Sequence, residues 1–316
     1  MPPLEYEATA GAFLSILRPT DEDLDSRYLY RWFSSEAVQR KVRSFGNQTT
    51  NISNLDHKRV AKLLVPVPTI AEQKRIARIL DAADALRAKR RESIAQLDAL
   101  VQSTFLEMFG DPVAKGWQEK RVEELAPEKN AIRTGPFGSQ LLHSEFVEAG
   151  IKVLGIDNVV SNSFRSGEPR FITHEKYEGL RRYTVRPGDV LITIMGTCGR
   201  CAIVPEDIEQ SINTKHLCAI TLDRESCLPE FMRACFLWHP AARDFLEQNA
   251  KGAIMSGLNM GIIKRLPLPV PPIELQQEFV VASNAIDAQR VRFAEHLTEL
   301  DTLFTSLQSR AFAGEL

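Results

Sequence analysis

Cysteine and histidine at short spacing are the first residues in this chain whose types suggest chemistry. Cys198-x-x-Cys201 is followed by His216 and Cys218, a thiolate and imidazole set of the kind that holds tetrahedral zinc. The spacing argues against it, because a structural ribbon needs a second Cys-x-x-Cys about 15 to 20 residues on, and position 221 is Thr. The five cysteines, Cys198, Cys201, Cys218, Cys227 and Cys235, all fall within 38 residues. An odd number in a long chain suits buried free thiols in a reducing, cytoplasmic setting better than a disulfide scaffold, and no metal is expected. Catalytic signatures are missing too. There is no Gly-x-x-x-x-Gly-Lys-Ser/Thr loop, no Gly-x-Ser-x-Gly elbow and no Asn/Asp-Pro-Pro-Tyr/Phe tetrad, and the six histidines are scattered singly.

Cationic and amide side chains are the better lead. Between 165 and 200 stand Arg165, Arg170, Lys176, Arg181, Arg182, Arg186 and Arg200 against Glu168, Glu175, Glu178 and Asp189, a local excess of +3. Such cations suit phosphates through counterion release, and arginine suits guanine edges. Gln140, Asn158 and Asn162 are amides of the type that pairs with adenine. The competing reading is a solvated charged face. Over the whole chain 39 basic and 41 acidic residues leave a net charge of -2, which excludes binding of polyanions by bulk charge, so any nucleic-acid affinity must be local. Lys89-Arg90-Arg91 is open to three readings: phosphate, a partner subunit, or water.

These residues must be positioned by a scaffold, and 316 residues is roughly two domains' worth of chain. With 44% hydrophobic and 25% charged residues, the composition is that of a globular protein. Met1 to Thr20 has no cationic region ahead of an apolar core, and no apolar run approaches the roughly 18 to 20 residues that span a bilayer. No membrane association is expected.

An internal repeat sets the architecture. Leu63-Leu-Val-Pro-Val-Pro-Thr-Ile-Ala-Glu-Gln73 recurs as Leu266-Pro-Leu-Pro-Val-Pro-Pro-Ile-Glu-Leu-Gln276, an offset of 203. The same offset pairs Arg87 with Arg290, Glu92 with Glu295 and Leu97-Asp98 with Leu300-Asp301. Beyond each proline run the apolar residues recur at threes, fours and sevens: Ile76, Leu80, Ala83, Ile94, Leu97, Val101 and Met108, then Phe279, Ile286, Phe293, Leu297, Leu300, Phe304 and Leu307. Proline lacks the N-H and pushes its predecessor out of the helical region, so each helix must begin after its proline run. Ile70–Phe109 and Glu274–Arg310 would each reach about 55 to 60 Å. The simplest burial of two such stripes is against each other as an antiparallel rod. The alternative is that each packs on its own adjoining domain, and Arg87, Arg90 and Arg91 interrupt a continuous dry seam.

Between the repeats, 112–268 is strand-like and turn-rich, entered by Gly110-Asp111-Pro112, with strands expected at Val190–Ile194, Cys201–Val204 and His216–Leu222. Leu228–Asn249 reads as helix around Pro240. The offset also aligns Tyr28-Leu29 with Phe231-Met232, Phe33 with Phe236, and Thr50–Leu55 with Ala253–Leu258, so 1–65 resembles the end of a first copy of this domain. The expected fold is α+β. One complete mixed α/β domain spans 112–268, and helices in 66–111 and 269–316 pair as an antiparallel coiled coil.

Taken in order, the repeat and several stretches of the middle domain resemble the DNA specificity subunit of Type I restriction-modification systems. These stretches are Gly116-Trp117, Arg133-Thr-Gly-Pro-Phe-Gly-Ser-Gln140, Val153-Leu-Gly-Ile-Asp-Asn158, Gly188-Asp-Val-Leu-Ile192, Met195–Pro205, Ile212-Asn213 and Gly257-Leu258-Asn259. The resemblance covers nearly the whole chain from about residue 12. It implies a non-catalytic reader in which two target recognition domains each read half of a bipartite DNA site and the helices act as spacer and dock for methyltransferase subunits and, through them, the restriction subunit. S-adenosylmethionine, ATP and Mg2+ are then expected in those partners and no cofactor in this chain. The chain carries only the tail of a first recognition domain, so by itself it should read one half-site, and a homodimer would restore the second. The rival readings are a silent cassette without bipartite recognition and a coiled-coil protein adaptor. The DNA-contact candidates are Arg133, Thr134, Gln140, Asn158, Arg165, Arg170, Lys176, Arg181, Arg182 and Arg200.

Overall fold

The computed structural model describes residues 14–49, 52–111, 115–250 and 257–316. The described chain forms two compact units, one built from residues up to Gln96 together with Gln289–Leu316, the other from Leu97–Ala288. The first begins with α1 (Ser26–Phe33) and α2 (Glu36–Arg43), followed by a hairpin of β1 (Gly46–Thr49) and β2 (Ile52–Leu55) and the one-turn α3 (His57–Val60). Asp25 and Asp56 start α1 and α3 by accepting the first free amides of each helix, Arg27 and Tyr28 at 3.0 Å in the first case. The proline run 66–68 carries no regular secondary structure, and α4 (Ile70–Phe109) begins beyond it.

The second unit runs through β3 (Gln118–Arg121), β4 (Ile132–Thr134), β5 (Ile151–Leu154), β6 (Val159–Val160), β7 (Ser163–Phe164) and β8 (Phe171–Ile172) to α5 (His174–Glu178). It continues with β9 (Thr184–Val185), β10 (Val190–Thr193), β11 (Cys201–Ile203), β12 (Ser211–Asn213), β13 (Leu217–Ile220), α6 (Pro229–Trp238), α7 (Pro240–Ala250), α8 (Met260–Arg265), β14 (Pro267–Val270) and α9 (Ile273–Ala313). Two four-stranded sheets carry the domain, ordered β11-β10-β13-β4 and β8-β5-β12-β9. Strands alternate their side chains between faces, so β10 and β13 feed two cores. Val190, Ile192, Cys218 and Ile220 join the aromatic core with α6, whereas Leu191, Leu217 and Ala219 meet Leu154, Val159 and Val185 on the other side. Both strands are buried along their whole length, which explains their unbroken apolar sequences.

The second proline run is itself part of the domain. Pro267–Val270 forms β14 against β3, an edge position where prolines cost no ladder donor toward a further strand. In the first copy the equivalent 64–67 pairs with no strand among the described residues, and Leu64 stands 92% exposed.

The 203-residue offset holds in three dimensions. It carries the starts of α1, α3 and α4 onto those of α6, α8 and α9. Its pairing of Thr50–Asn51 with Ala253–Ile254 lies outside the described residues, as do Pro112 and most of Met1–Thr20. The duplicated glutamine has the same job twice. Gln73 is fully buried, accepts the Asp25 amide at 2.9 Å and donates to the Asp23 and Pro68 carbonyls. Gln276, equally buried, accepts the Leu228 amide at 2.9 Å and donates to the Ser226 and Pro271 carbonyls. Each ties the first turn of a long helix to the start of the small helix of its own copy.

The long helices pair antiparallel. In the first unit Arg75 meets the Leu316 carbonyl, Arg87 meets Asp301 at 2.5 Å and Arg90 lies 4.1 Å over the Phe293 ring, so partner numbers fall as α4 numbers rise. Two of the three arginines that interrupt the apolar stripe therefore sit on aromatic faces, with Arg87 4.3 Å above Phe304, while Arg91 meets Asp301 at 3.1 Å. In the second unit Phe105 and Phe109 pack on Phe279, with ring centroids 5.5 and 5.8 Å apart. Pairing and packing on the adjoining domain are not alternatives: Ile76, Leu80 and Ala311 share a core with Tyr28, and Phe105, Phe109 and Phe279 share one with Phe231.

Candidate nucleic-acid interface

Topology brings four loops of the second unit to one end. β12 runs parallel to β5, and β13 runs antiparallel to both β4 and β10. The segments after β4, β5 and β10 and the β12–β13 turn must therefore share one edge of the sheets. These are the stretches around Gly135–Gln140, Gly155–Asn158, Met195–Arg200 and Thr214–His216, three of which carry the motifs singled out in the sequence. Gly135 shows why glycine is needed there: a Cβ would lie 1.9 Å from the Asn213 carbonyl oxygen and 2.4 Å from the Thr214 carbonyl carbon.

Two of the sequence candidates belong to the frame rather than to its surface. Arg133 is 7% exposed; its guanidinium donates to Asp189, to Thr221 Oγ1 at 2.9 Å and to the Thr184 and Ala131 carbonyls. Asp189, fully buried, also accepts the Arg186 amide at 2.8 Å. This satisfied ion pair ties β4 to the β9–β10 turn, and it accounts physically for the Arg133 and Gly188-Asp189 motifs. Asn158 is 1% exposed and spends its amide on the Gly155 amide and the Arg165 and Ser166 carbonyls, at 2.8 to 2.9 Å. Neither is free to meet a base, and both expectations are corrected accordingly.

The remaining candidates lie near the loop edge with unequal freedom. Lys176 is held by Glu145 at 2.6 Å, and Arg181 by Glu178 at 2.7 Å. The Leu142 amide and Lys176 together keep the Glu145 carboxyl below its ordinary range. Arg170 pairs with Asp157, where burial opposes ionisation but the Glu168 amide and the Arg170 guanidinium overcome it and hold the acid low. Gln140 is exposed, its carbonyl oxygen taken by the Phe137 amide and the Tyr183 hydroxyl. Thr134 is half-buried at the end of β4. By contrast Arg165, Arg182 and Arg200 have no carboxylate within 4.0 Å among the described residues, and Arg182 lies 4.7 Å over the Tyr183 ring. Asn162 is committed to the β6–β7 turn and accepts the Cys201 amide at 3.2 Å. Arg186, at the opposite end of β9, pairs with Glu128, so the cationic stretch of the sequence does not form one patch.

The loops enclose a cleft of about 660 Å3 lined by Pro136, Leu141, Phe146, Arg170 and the Thr214–His216 turn. Lys215 and His216 were missed as DNA-contact candidates, although they stand two and three residues after Asn213 of the Ile212-Asn213 motif. Burial, with Lys215 and Arg170 nearby, holds the His216 imidazole below its ordinary value, so it is neutral at pH 7. Cys198 and Cys201 flank a turn in this region, but among the described residues no three His, Cys, Asp or Glu side chains gather to hold a metal ion. Burial pushes the Cys201 and Cys218 thiols up to about 12, as expected of inert packed thiols.

The model of the Type I restriction modification DNA specificity domain matches residues 4–97 and again 114–297. The chain belongs to the Type I restriction-modification DNA specificity family. Two matches in one chain are what the 203-residue repeat requires. Within the specificity family the chain is similar to the EcoBI specificity subunit of Escherichia coli, 26% identical over 85% of this chain and 61% of that one. It is also similar to the EcoKI specificity subunit of Escherichia coli strain K12, 24% identical over 99% and 70%. It thus spans less than two thirds of the former. The S subunit of a Type I restriction-modification system from M. genitalium shares the fold at a TM-score of 0.56, covering 92% of this chain and 73% of that one at 16% identity. A chain from a type I R-M system studied for complex assembly reaches 0.62, covering 92% and 71% at 19% identity. The similar curated chains are specificity subunits, and the matched family is that of the DNA specificity domain.

Proposed function

We propose that this chain reads one half of a bipartite DNA site with the loop edge of its second unit and docks methyltransferase subunits along its paired helices. Those partners, and through them the restriction subunit, would supply adenine methylation and ATP-dependent cleavage in the cytoplasm, using S-adenosylmethionine, ATP and Mg2+. The observation that carries the reading is the group of unpaired cations, Arg165, Arg182 and Arg200, on an edge where four loops meet, three of them motif-bearing. An unneutralised cation beside a cleft gains most from a phosphate, and each phosphate contact adds about 0.9 to the slope of log affinity against log salt. A homodimer would present two such edges. The test is binding of the full chain to a randomised duplex pool across a salt series, with oligomeric state measured alongside. A recovered sequence motif and a slope that falls by about 0.9 with Arg200→Gln support the reading. No motif, with salt-insensitive binding, favours the adaptor and overturns it.

A further inference from the structure

The Asn213–His216 turn of the cleft differs from the charged residues of the loop edge. The Asn213–His216 turn is pinned from several sides: the Thr214 amide donates to the Leu154 carbonyl at 2.8 Å, the Leu217 amide to the Thr214 carbonyl at 3.0 Å and the Ile194 amide to the His216 carbonyl at 2.9 Å. The Asn213 amide group donates to the Leu217 carbonyl at 2.8 Å, and Gly135 closes over the turn from β4. A turn so fixed at the end of a central strand holds its side chains in one geometry, as recognition demands. Yet three side-chain polar atoms in and beside it are not used inside the protein. The Thr214 hydroxyl, the Asn213 carbonyl oxygen and Arg170 Nε are buried without a hydrogen-bond partner. Folded proteins seldom leave such groups unpaired, because each costs about 1 to 3 kcal/mol. Lys215 has no carboxylate within 4.0 Å among the described residues, and its neighbour His216 offers one donor and one acceptor in its neutral form.

Unpaired arginines elsewhere on the loop edge and a rigid turn of unspent hydrogen-bonding groups in the cleft match the division of labour between phosphate positioning and base readout. Resting on the DNA-reading proposal, we infer that the Thr214-Lys215-His216 turn is the base-reading element of this half-site, with Lys215 placed on the O6 and N7 acceptors of a guanine. The unpaired arginines of the loop edge set affinity; the turn sets sequence.

Selection from randomised duplexes with the full chain tests this at three positions. The unaltered chain selects a motif containing an essential guanine. Lys215→Gln changes the preference at that one position toward adenine, by about 5-fold to 150-fold, whereas Arg200→Gln weakens all duplexes alike and leaves the motif intact. Thr214→Val supplies the control for folding. Because the hydroxyl has no partner in the protein, its removal leaves thermal stability equal or higher while the affinity for the selected site drops several-fold. A Lys215→Gln motif identical to the original overturns the assignment, and so does a Thr214→Val chain that loses stability. Failure of the unaltered chain to select any motif overturns the half-site reading itself, which keeps the two outcomes distinct.

Discussion

The two copies of the repeat solve one mechanical problem with different chemistry. Both anchor a long helix through the same glutamine, with the same three kinds of hydrogen bond. Around that key the fillings diverge. In the first unit Arg31, 8% exposed, is held by Asp81 at 2.7 Å and Asp84 at 2.9 Å, and Arg87 continues the chain of charge to Asp301. At the offset of 203, Arg31 corresponds to Ala234 and Asp81 to Asn284, so the buried arginine and one of its two carboxylates have no counterpart in the second copy. Its joint is aromatic: Phe105, Phe109, Phe231, Phe279, Trp117 and Trp238 meet with ring centroids 4.9 to 6.1 Å apart. A bond that satisfies buried backbone groups tolerates no substitute, whereas the volume beside it can be filled by rings or by paired ions.

The contrast is broken most forcefully at its aromatic side. Phe105 is fully buried and touches four other rings. Phe105→Ala should cost about 4 to 5 kcal/mol, the upper end for a buried ring, since its neighbours come from separate helices and cannot collapse together. Urea unfolding would give the total, and hydrogen exchange in α6 would locate it. A loss below about 1.5 kcal/mol would show that the rings are not what secures this joint.

Next comes the shared key. Gln276→Leu leaves the Leu228 amide and the Ser226 and Pro271 carbonyls without partners, and Gln73→Leu does the same to Asp25, Asp23 and Pro68. At about 1 kcal/mol or more for each buried orphan, both variants should lose about 3 kcal/mol, and by similar amounts. Equal losses measured by urea titration sharpen the comparison; a loss in only one copy would mean that the other glutamine is replaceable by water.

Much of this was legible in the sequence. Prolines and a fixed offset placed both long helices to within about three residues, because those signals act through local backbone sterics. The β10 and β13 strands were legible as apolar runs, the first set between glycine turns. What the sequence hid was the state of each cation. Arg133 and Arg165 look alike in a string of residues, and only the sheet topology shows that one is buried on Asp189 and the other is open. Asn158 was hidden likewise, since its three partners lie from three to eight residues along a loop whose path no periodicity reveals. Lys215 and His216 escaped because a two-residue signal in a tight turn has no pattern, and their importance comes from strands that meet there from 60 to 80 residues away.

The smallest expected effect separates the copies by pH. His239 is 2% exposed in the second unit, and its counterpart at the offset of 203 is Glu36, on the surface of α2. Burial holds the His239 imidazole below its ordinary value, an effect only partly offset by the Phe109 carbonyl and Glu119. As pH falls below the ordinary value near 6.5, the unfolded chain takes up a proton that the folded chain resists. Stability therefore declines between about 6.5 and the lowered folded value, and is level above that window. The sign is the reverse of an ion-paired histidine, which would gain stability on acidification. Hydrogen exchange followed from pH 7.5 to 5.5, corrected for the intrinsic rate, should show protection falling in α6 and α7, and His239→Gln should remove that histidine's share of the slope. An unchanged slope in His239→Gln would mean that the imidazole takes up its proton inside the fold, with Glu119 compensating the charge, and the polar character now assigned only to the first joint would have to be extended to the second.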